Sequence, residues 1–297
     1  MAAPPHHDPR KTVFITGCSG SGIGNALARE FHTRGLRVIA TARNTSSITE
    51  LADLGIECLS LEVDKPEEVE RCMREVEALL GDGALDYLVN NAGRNYTVPA
   101  LSATQAEIHA TFTTNLFAVM QICATFSPLL IRSRGTIVQI GSLAGVIPYV
   151  FGSVYNASKA ALHSYSDTLR VELAPFGVNV VTVVTGGVKS NIARTERTLP
   201  QGSPYAPLEA NYQRRQKHSQ EVGMDTGEYA RDVVGKLLAG DGWIWKRRII
   251  WAGGSAALVS WATAFLGVGS GFWDWLMTRM FGLGLLHKQD VFKQKQT

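Results

Sequence analysis

Residues 12–31 restrict the fold of this chain more than any other stretch. Thr12-Val13-Phe14-Ile15-Thr16 is a short β-branched apolar run, suited to a strand buried on both faces of a parallel sheet. It leads directly into Gly17-Cys18-Ser19-Gly20-Ser21-Gly22-Ile23-Gly24, and then into the helical pattern Asn25-Ala26-Leu27-Ala28-Arg29-Glu30-Phe31. Strand, glycine turn and helix in this order make a phosphate cradle. Bare glycines let backbone approach a pyrophosphate, and the helix start offers unpaired N–H groups and the positive end of its dipole. Gly17, Ser19, Ser21, Gly22, Ile23 and Gly24 are the first candidate cofactor contacts. The expected architecture is α/β, a single Rossmann-type, doubly wound parallel sheet.

Further strand patterns follow. Arg37-Val38-Ile39-Ala40-Thr41 ends in Ala42-Arg43-Asn44, where an NAD-type fold would place an acid on the ribose 2′-hydroxyl. Arg43 stands there instead, and a cation suits a 2′-phosphate, so the expected cofactor is NADPH/NADP+. Residues 56–64 read as a third strand, followed by a helix opening on Pro66 with acids in its first turn. Residues 84–89 form a fourth, ending in Asn90-Asn91-Ala92-Gly93, whose small residues leave room for a cofactor ring and ribose. Residues 111–120 are helical by period and carry Asn115 among apolar neighbours, a buried amide that needs partners. Residues 135–140 and 179–184 supply the fifth and sixth strands.

Tyr155 lies four residues before Lys159, on one face if the segment is helical, and residues 157–173 are Ala- and Leu-rich at helical spacing. A cation beside a phenol favours the phenolate, so the tyrosine is expected below its free value of about 10. Reaching about 7 takes roughly 4 kcal/mol, more than one exposed lysine supplies. A second positive charge, such as an oxidised nicotinamide ring, would complete it.

These pieces, in this order, resemble the short-chain dehydrogenase/reductase family over residues 11–240. The resemblance implies that Asn90 helps fix the central sheet and the adenosine side of the site, with Asn91, Ala92 and Gly93 beside the cofactor. It places Glu62, Val63 and Asp64 near the adenine, and Val188 with Ser190 near the nicotinamide carboxamide. It makes Asn115 the residue that holds a water near the lysine. Ser142, thirteen positions before Tyr155, becomes the hydroxyl that bonds the substrate carbonyl. Tyr155 becomes the proton donor, and Lys159 the cation that lowers its pKa and binds the ribose. Two departures stand out: four residues rather than three separate Gly17 from Gly22-Ile23-Gly24, so the turn should bulge, and Thr185-Gly186-Gly187 replaces the usual Pro-Gly. Thr-Gly-Gly here, with Gly-Cys-Ser in the first turn, is similar to fungal NADPH-dependent 1-acyldihydroxyacetone-phosphate reductases.

A net charge of +3 in 297 residues is too small and dispersed to argue for nucleic acid. The four cysteines (Cys18, Cys58, Cys72 and Cys123) show no zinc spacing, so no metal site is expected, and with no secretory segment a reducing compartment is. Residues 1–10 are Pro- and His-rich and expected to be disordered, and 191–223, polar and Pro/Gly-punctuated with Arg194, Arg197, Arg214, Arg215 and Lys217, to form a substrate lid. Beyond Lys246-Arg247-Arg248, residues 249–254 can form a last strand, and 255–273 carry no charge and include Trp261, Phe265, Phe272 and Trp273. That segment and the basic tail after it (255–297 together) suit an interfacial hairpin on a membrane better than a full span, the alternative being a helix packed on the core or on a partner subunit.

The expectation is therefore an NADPH-dependent ketone reductase with a hydrophobic or lipid-like substrate, on the cytoplasmic face of an intracellular membrane such as the endoplasmic reticulum or a lipid droplet. One alternative is the same chemistry on a polyketide or terpenoid ketone or alcohol. Another is a non-catalytic NADPH-binding scaffold or sensor. The resemblance also implies a homodimer or homotetramer through the helices that carry Asn115 and Tyr155.

Overall fold

The structure is a computed structural model that describes residues 8–81, 84–190, 192, 195–239, 248–267 and 271–288. Its seven strands are β1 (Thr12–Ile15), β2 (Arg37–Ala42), β3 (Glu57–Ser60), β4 (Tyr87–Asn90), β5 (Thr136–Ile140), β6 (Asn179–Thr185) and β7 (Ile249–Ala252). All pair in parallel, in the order β3-β2-β1-β4-β5-β6-β7. The order reverses between β1 and β4, and the crevice at the carboxyl ends of those strands is where such a sheet binds ligands.

Helices cover both faces: α1 (Ile23–Thr33), α2 (Thr49–Ala52), α3 (Pro66–Leu80), α4 (Gln105–Phe112), α5 (Ala118–Ser133), α6 (Ser153–Leu173), α7 (Glu209–Glu221) and α8 (Thr226–Ala239). The continuous apolar run of β1 is explained by this double cover. Val13 and Ile15 pack with Leu27 and Phe31 of α1 and Val233 of α8, while Phe14, between them, packs with Val76 of α3 and Phe126 of α5.

Several boundaries differ from the sequence pattern. β3 stops at Ser60; Leu61 makes one more bond to β2, to Ala42 O, before the chain turns toward α3. β4 begins at Tyr87, because the Asp86 carboxylate is taken by the N–H of Thr12 at 2.7 Å. β7 ends at Ala252, where Gly253 turns the chain with φ +90°. The stretch expected to be α-helical around Asn115 contains a π-helical turn, Thr113–Phe117, between α4 and α5. The expected lid holds α7, while Asn191, Ala193 and Arg194 lie outside the described residues, as do residues 1–7, Lys246, Arg247 and the basic tail 289–297.

The uncharged C-terminal stretch folds into two eleven-residue helices, α9 (Ala256–Leu266) and α10 (Gly271–Phe281). Each is about 16 Å long at about 1.5 Å per residue, too short to cross about 30 Å of hydrocarbon. Val259, Ala262, Trp273, Met277 and Phe281 are buried against Leu208, Tyr212, Ile147 and Phe151, so one face packs on the core. Leu258, Trp261, Phe265 and Trp275 remain exposed.

Candidate active site

The glycine turn and the end of β4 are in direct contact. A Cβ on Gly17, which holds φ +73°, would lie 2.8 Å from Ala92 Cα, and one on Gly24 would lie 2.5 Å from Asn91 Nδ2. Asn91 Nδ2 donates to Thr16 O at 2.8 Å and Gly17 O at 2.9 Å, and the N–H groups of Asn91 and Ala92 both donate to Thr16 Oγ1 at 3.0 Å. Asn91 therefore stitches strand to turn. Asn90, expected to help fix the central sheet and the adenosine side, points into the core, where its Nδ2 donates to Cys123 Sγ at 3.4 Å and ties the end of β4 to α5. A strand's side chains alternate between faces, and one position decides which of two adjacent asparagines reaches the crevice.

The turn that carries the extra residue is tied to the segment after β2. Gly20 N–H donates to Ser47 O at 3.3 Å, and Ser47 Oγ donates to Ser19 Oγ at 3.1 Å. Ser19 and Ser21 are exposed in this turn. The N-cap of α1, Gly22, makes no side-chain capping bond, which leaves the helix start open to an anionic ligand. Arg43 is exposed at the end of β2, and no carboxylate among the described residues pairs with it. Of the residues placed near adenine, Glu62 pairs with Lys65 at 2.8 Å, Asp64 accepts from Thr114 Oγ1 at 2.9 Å, and Val63 packs against the core.

The other half of the site gathers around α6. Lys159 is 4% exposed, and its Nζ donates to Ile140 O at 2.8 Å, so burial lowers its pKa to about 8. Tyr155 is half-buried, one turn earlier on the same face. Its phenol is pushed up from its ordinary value by burial, against the opposing effects of a hydrogen bond from Ser142 and the charge of Arg215. The expectation of a phenol depressed by Lys159 is thus corrected: in the chain by itself desolvation outweighs the hydrogen bond from Ser142 and the charge of Arg215.

Ser142 follows β5, and its Oγ accepts from Ala144 N at 3.1 Å. Asn115 is fully buried; its Oδ1 accepts from Arg94 N at 2.9 Å, and its Nδ2 donates to Arg94 O and Ser158 Oγ, each at 3.0 Å. A Cβ on Gly93 would lie 3.3 Å from Asn115 Oδ1 and 3.8 Å from Lys159 Nζ, so the π-helical turn brings the amide to the lysine. Val188 is buried and bridged in parallel to Met224, and Ser190 O accepts from Gln220 Nε2 at 2.6 Å, which ties the end of β6 to α7.

Sequence reasoning missed one residue here and left another, Arg215, as one of several unassigned lid cations. His163 lies on the face of Tyr155 and Lys159, at i+8 and i+4, a spacing visible in the sequence; its Nε2 accepts the backbone N–H of Ser142. Arg215, from α7, lies over Tyr149 in the loop before α6. No local spacing signals that placement.

The geometry agrees with comparisons to known proteins. The profile of the family described as short chain dehydrogenase matches residues 11–200. Short-chain dehydrogenase fogD of Aspergillus ruber is 38% identical over 288 residues, 96% of this chain and 98% of that protein. The NADPH-dependent 1-acyldihydroxyacetone phosphate reductase of Schizosaccharomyces pombe is 42% identical over 206 residues, 67% of this chain and 69% of that protein. The crystal structure of a short-chain dehydrogenase from Streptomyces avermitilis superposes with a TM-score of 0.73 at 25% identity, covering 95% of this chain and 99% of that one.

Proposed function

The chain belongs to the short-chain dehydrogenase family of NAD(P)-binding oxidoreductases, and on that premise we propose that it reduces a ketone to a secondary alcohol with NADPH, on a hydrophobic substrate such as 1-acyldihydroxyacetone phosphate. The observation that carries the reading is that Tyr155, hydrogen-bonded by Ser142, shares one face of α6 with Lys159, whose Nζ lies beside Gly93 at the end of β4.

The residues present fit the dinucleotide. Gly17 and Gly24 stand where any side chain would collide, the start of α1 is uncapped, and Arg43 is free of carboxylate partners among the described residues. Gly17, Ser19, Ser21, Gly22, Ile23 and Gly24 would hold the phosphates, Arg43 the 2′-phosphate, and Asn91, Ala92, Gly93, Val188 and Ser190 the nicotinamide end. Glu62, Val63 and Asp64 border the adenine side. When bound, the dihydronicotinamide supplies the hydride.

The chain's own groups handle the proton. Ser142 Oγ donates to the substrate oxygen and fixes its position, and Tyr155 gives up its proton to that oxygen as charge develops there. A phenol raised by burial stays protonated at neutral pH, the state an acid for reduction needs. Lys159, still cationic below about pH 8, stabilises the phenolate that remains. Asn115, locked by its three hydrogen bonds, orients the path by which that phenolate regains a proton.

The exposed row Leu258, Trp261 and Phe265 on α9, with Trp275 on α10, supports seating on a membrane surface, and the cytoplasmic face of an intracellular membrane is the place proposed for it. Flotation with liposomes tests this: protein that stays at the bottom of the gradient would speak against it. A second reading keeps the chemistry and takes a polyketide or terpenoid ketone: the Schizosaccharomyces pombe reductase, whose name carries the phosphate substrate, matches only two thirds of this chain, whereas the Aspergillus ruber short-chain dehydrogenase, whose name carries no substrate, matches nearly all of it. The deciding experiment is NADPH oxidation with acyl-dihydroxyacetone phosphate and a panel of hydrophobic ketones; oxidation with none of them would sink the reductase reading.

A further inference from the structure

We propose that Arg215 and the first turn of α6 form an oxyanion-binding subsite, so that the preferred ketone carries a phosphate or carboxylate. The inference deepens the ketone-reductase reading and rests on it for the word substrate, though not for the site.

Arg215 is 7% exposed. Its guanidinium carbon lies 3.6 Å from the centroid of the Tyr149 ring, and its Nε donates to Val150 O at 3.2 Å. No carboxylate among the described residues pairs with it, and its two terminal nitrogens have no acceptor there. Burying a cation without a counter-charge is costly, and folded chains seldom keep one without a use. The phenol of Tyr149 is fixed in turn by His218, whose Nδ1 lies 3.0 Å from the hydroxyl.

A second, independent feature lies at the same place. Arg215 Nη2 stands 3.6 Å from the point where Gly152 would carry a Cβ. Gly152 is the N-cap of α6 and supplies no side-chain capping bond. The first backbone bond of that helix runs from Asn156 N to Gly152 O at 2.7 Å, so the N–H groups of the preceding turn have no partner within the helix. A buried guanidinium and the positive end of a 21-residue helix thus converge three residues before Tyr155. Gly152 lies one helical turn before Tyr155, which sets the subsite at the Tyr155 end of α6, and the charge of Arg215 acts on that phenol as well.

Asn156 Oδ1 is buried without a partner, 2.9 Å from the same Gly152 position, while its Nδ2 is spent on Tyr149 O at 2.9 Å. That oxygen accepts a hydroxyl, such as the one on a singly protonated phosphate or on a carbon next to it. Tyr149 packs edge-on against Phe281, which with Phe151 and Tyr212 forms a buried aromatic cluster that fixes the ring under the guanidinium. An anionic ligand would also offset the pull of Arg215 on Tyr155 and help keep that phenol protonated for reduction.

The test is calorimetric titration of the NADP+-loaded enzyme with octyl phosphate, octanoate and octanol. Either anion should bind at least tenfold tighter than the alcohol; the tighter of the two identifies the substrate as phosphomonoester or carboxylate. Arg215→Met should erase the margin, and Arg215→Lys, which keeps the charge, should retain part of it and guard against simple loss of fold. Equal affinities in the wild type, or an undiminished margin in a folded Arg215→Met protein, would overturn the subsite. A clear anion margin with no ketone turned over would instead refute the reductase reading and leave the subsite standing.

Discussion

The backbone N–H of Ser142 donates to Nε2 of His163 across 3.2 Å, so the helix that carries Tyr155 and Lys159 also holds the loop that carries the serine. A Cβ on Gly145 would lie 2.9 Å from the His163 ring, and one on Gly141 would collide with Nε2, so glycines on both sides of Ser142 make room for the imidazole. The bond requires an unprotonated Nε2. Burial, aided by the charge of Lys159, meets that need by lowering the His163 pKa to about 4.

The sign of the resulting pH dependence is fixed. His163 has a lower pKa folded than unfolded, so its contribution to stability is complete above about pH 6.5 and is lost as the pH falls toward about 4. The loss should reach about 3 kcal/mol at most. Thermal melts at pH 7.5 and 4.5 should show a large drop for the wild type and a smaller one for His163→Gln. An equal drop in both proteins would assign the acid sensitivity elsewhere.

Lys159 trades stability for function. Its folded pKa of about 8 lies below the ordinary 10.5, so keeping it charged at neutral pH opposes folding, and that cost fades only as the pH rises from about 8 through 10.5. Lys159→Met should raise the melting temperature at pH 7 by several degrees, for a gain of about 2 kcal/mol. The loss of its bond to Ile140 O tempers the gain. The same variant should lose at least about a hundredfold in kcat. A lower melting temperature would show that the hydrogen bond outweighs desolvation.

Tyr155→Phe should reduce NADPH-dependent turnover by about a thousandfold or more while the dissociation constant for NADPH changes little, because the glycine cradle is untouched. Stopped-flow oxidation and fluorescence titration separate the two effects. Retained turnover would remove the phenol from the chemistry.

Arg43→Asp should reverse the cofactor preference, lowering kcat/KM for NADPH relative to NADH by at least about tenfold, since a charge-assisted contact to the 2′-phosphate contributes about 1.5–3 kcal/mol. Kinetics with both cofactors at fixed substrate measure the ratio directly, and an unchanged ratio would exclude Arg43 as the reader of that phosphate.

The sequence by itself determined whatever depends on neighbours within a few residues. The β-branched run, the glycine turn and the Tyr155/Lys159 spacing each imply a local geometry, and the structure builds a strand, a close turn and a helix there. Tertiary structure decided what depends on burial and on distant partners. It made Asn91 rather than Asn90 the stitch to the glycine turn, seventy-four residues away. It raised rather than lowered the Tyr155 phenol, because desolvation is set by everything packed around a group and not by its nearest charge. It placed Arg215 against a loop sixty-five residues earlier, and it split the uncharged C-terminal stretch into two short helices with one face buried. Spacing along a chain fixes directions within one element; which face meets which other element, and how much water is excluded there, emerges only when the layers close.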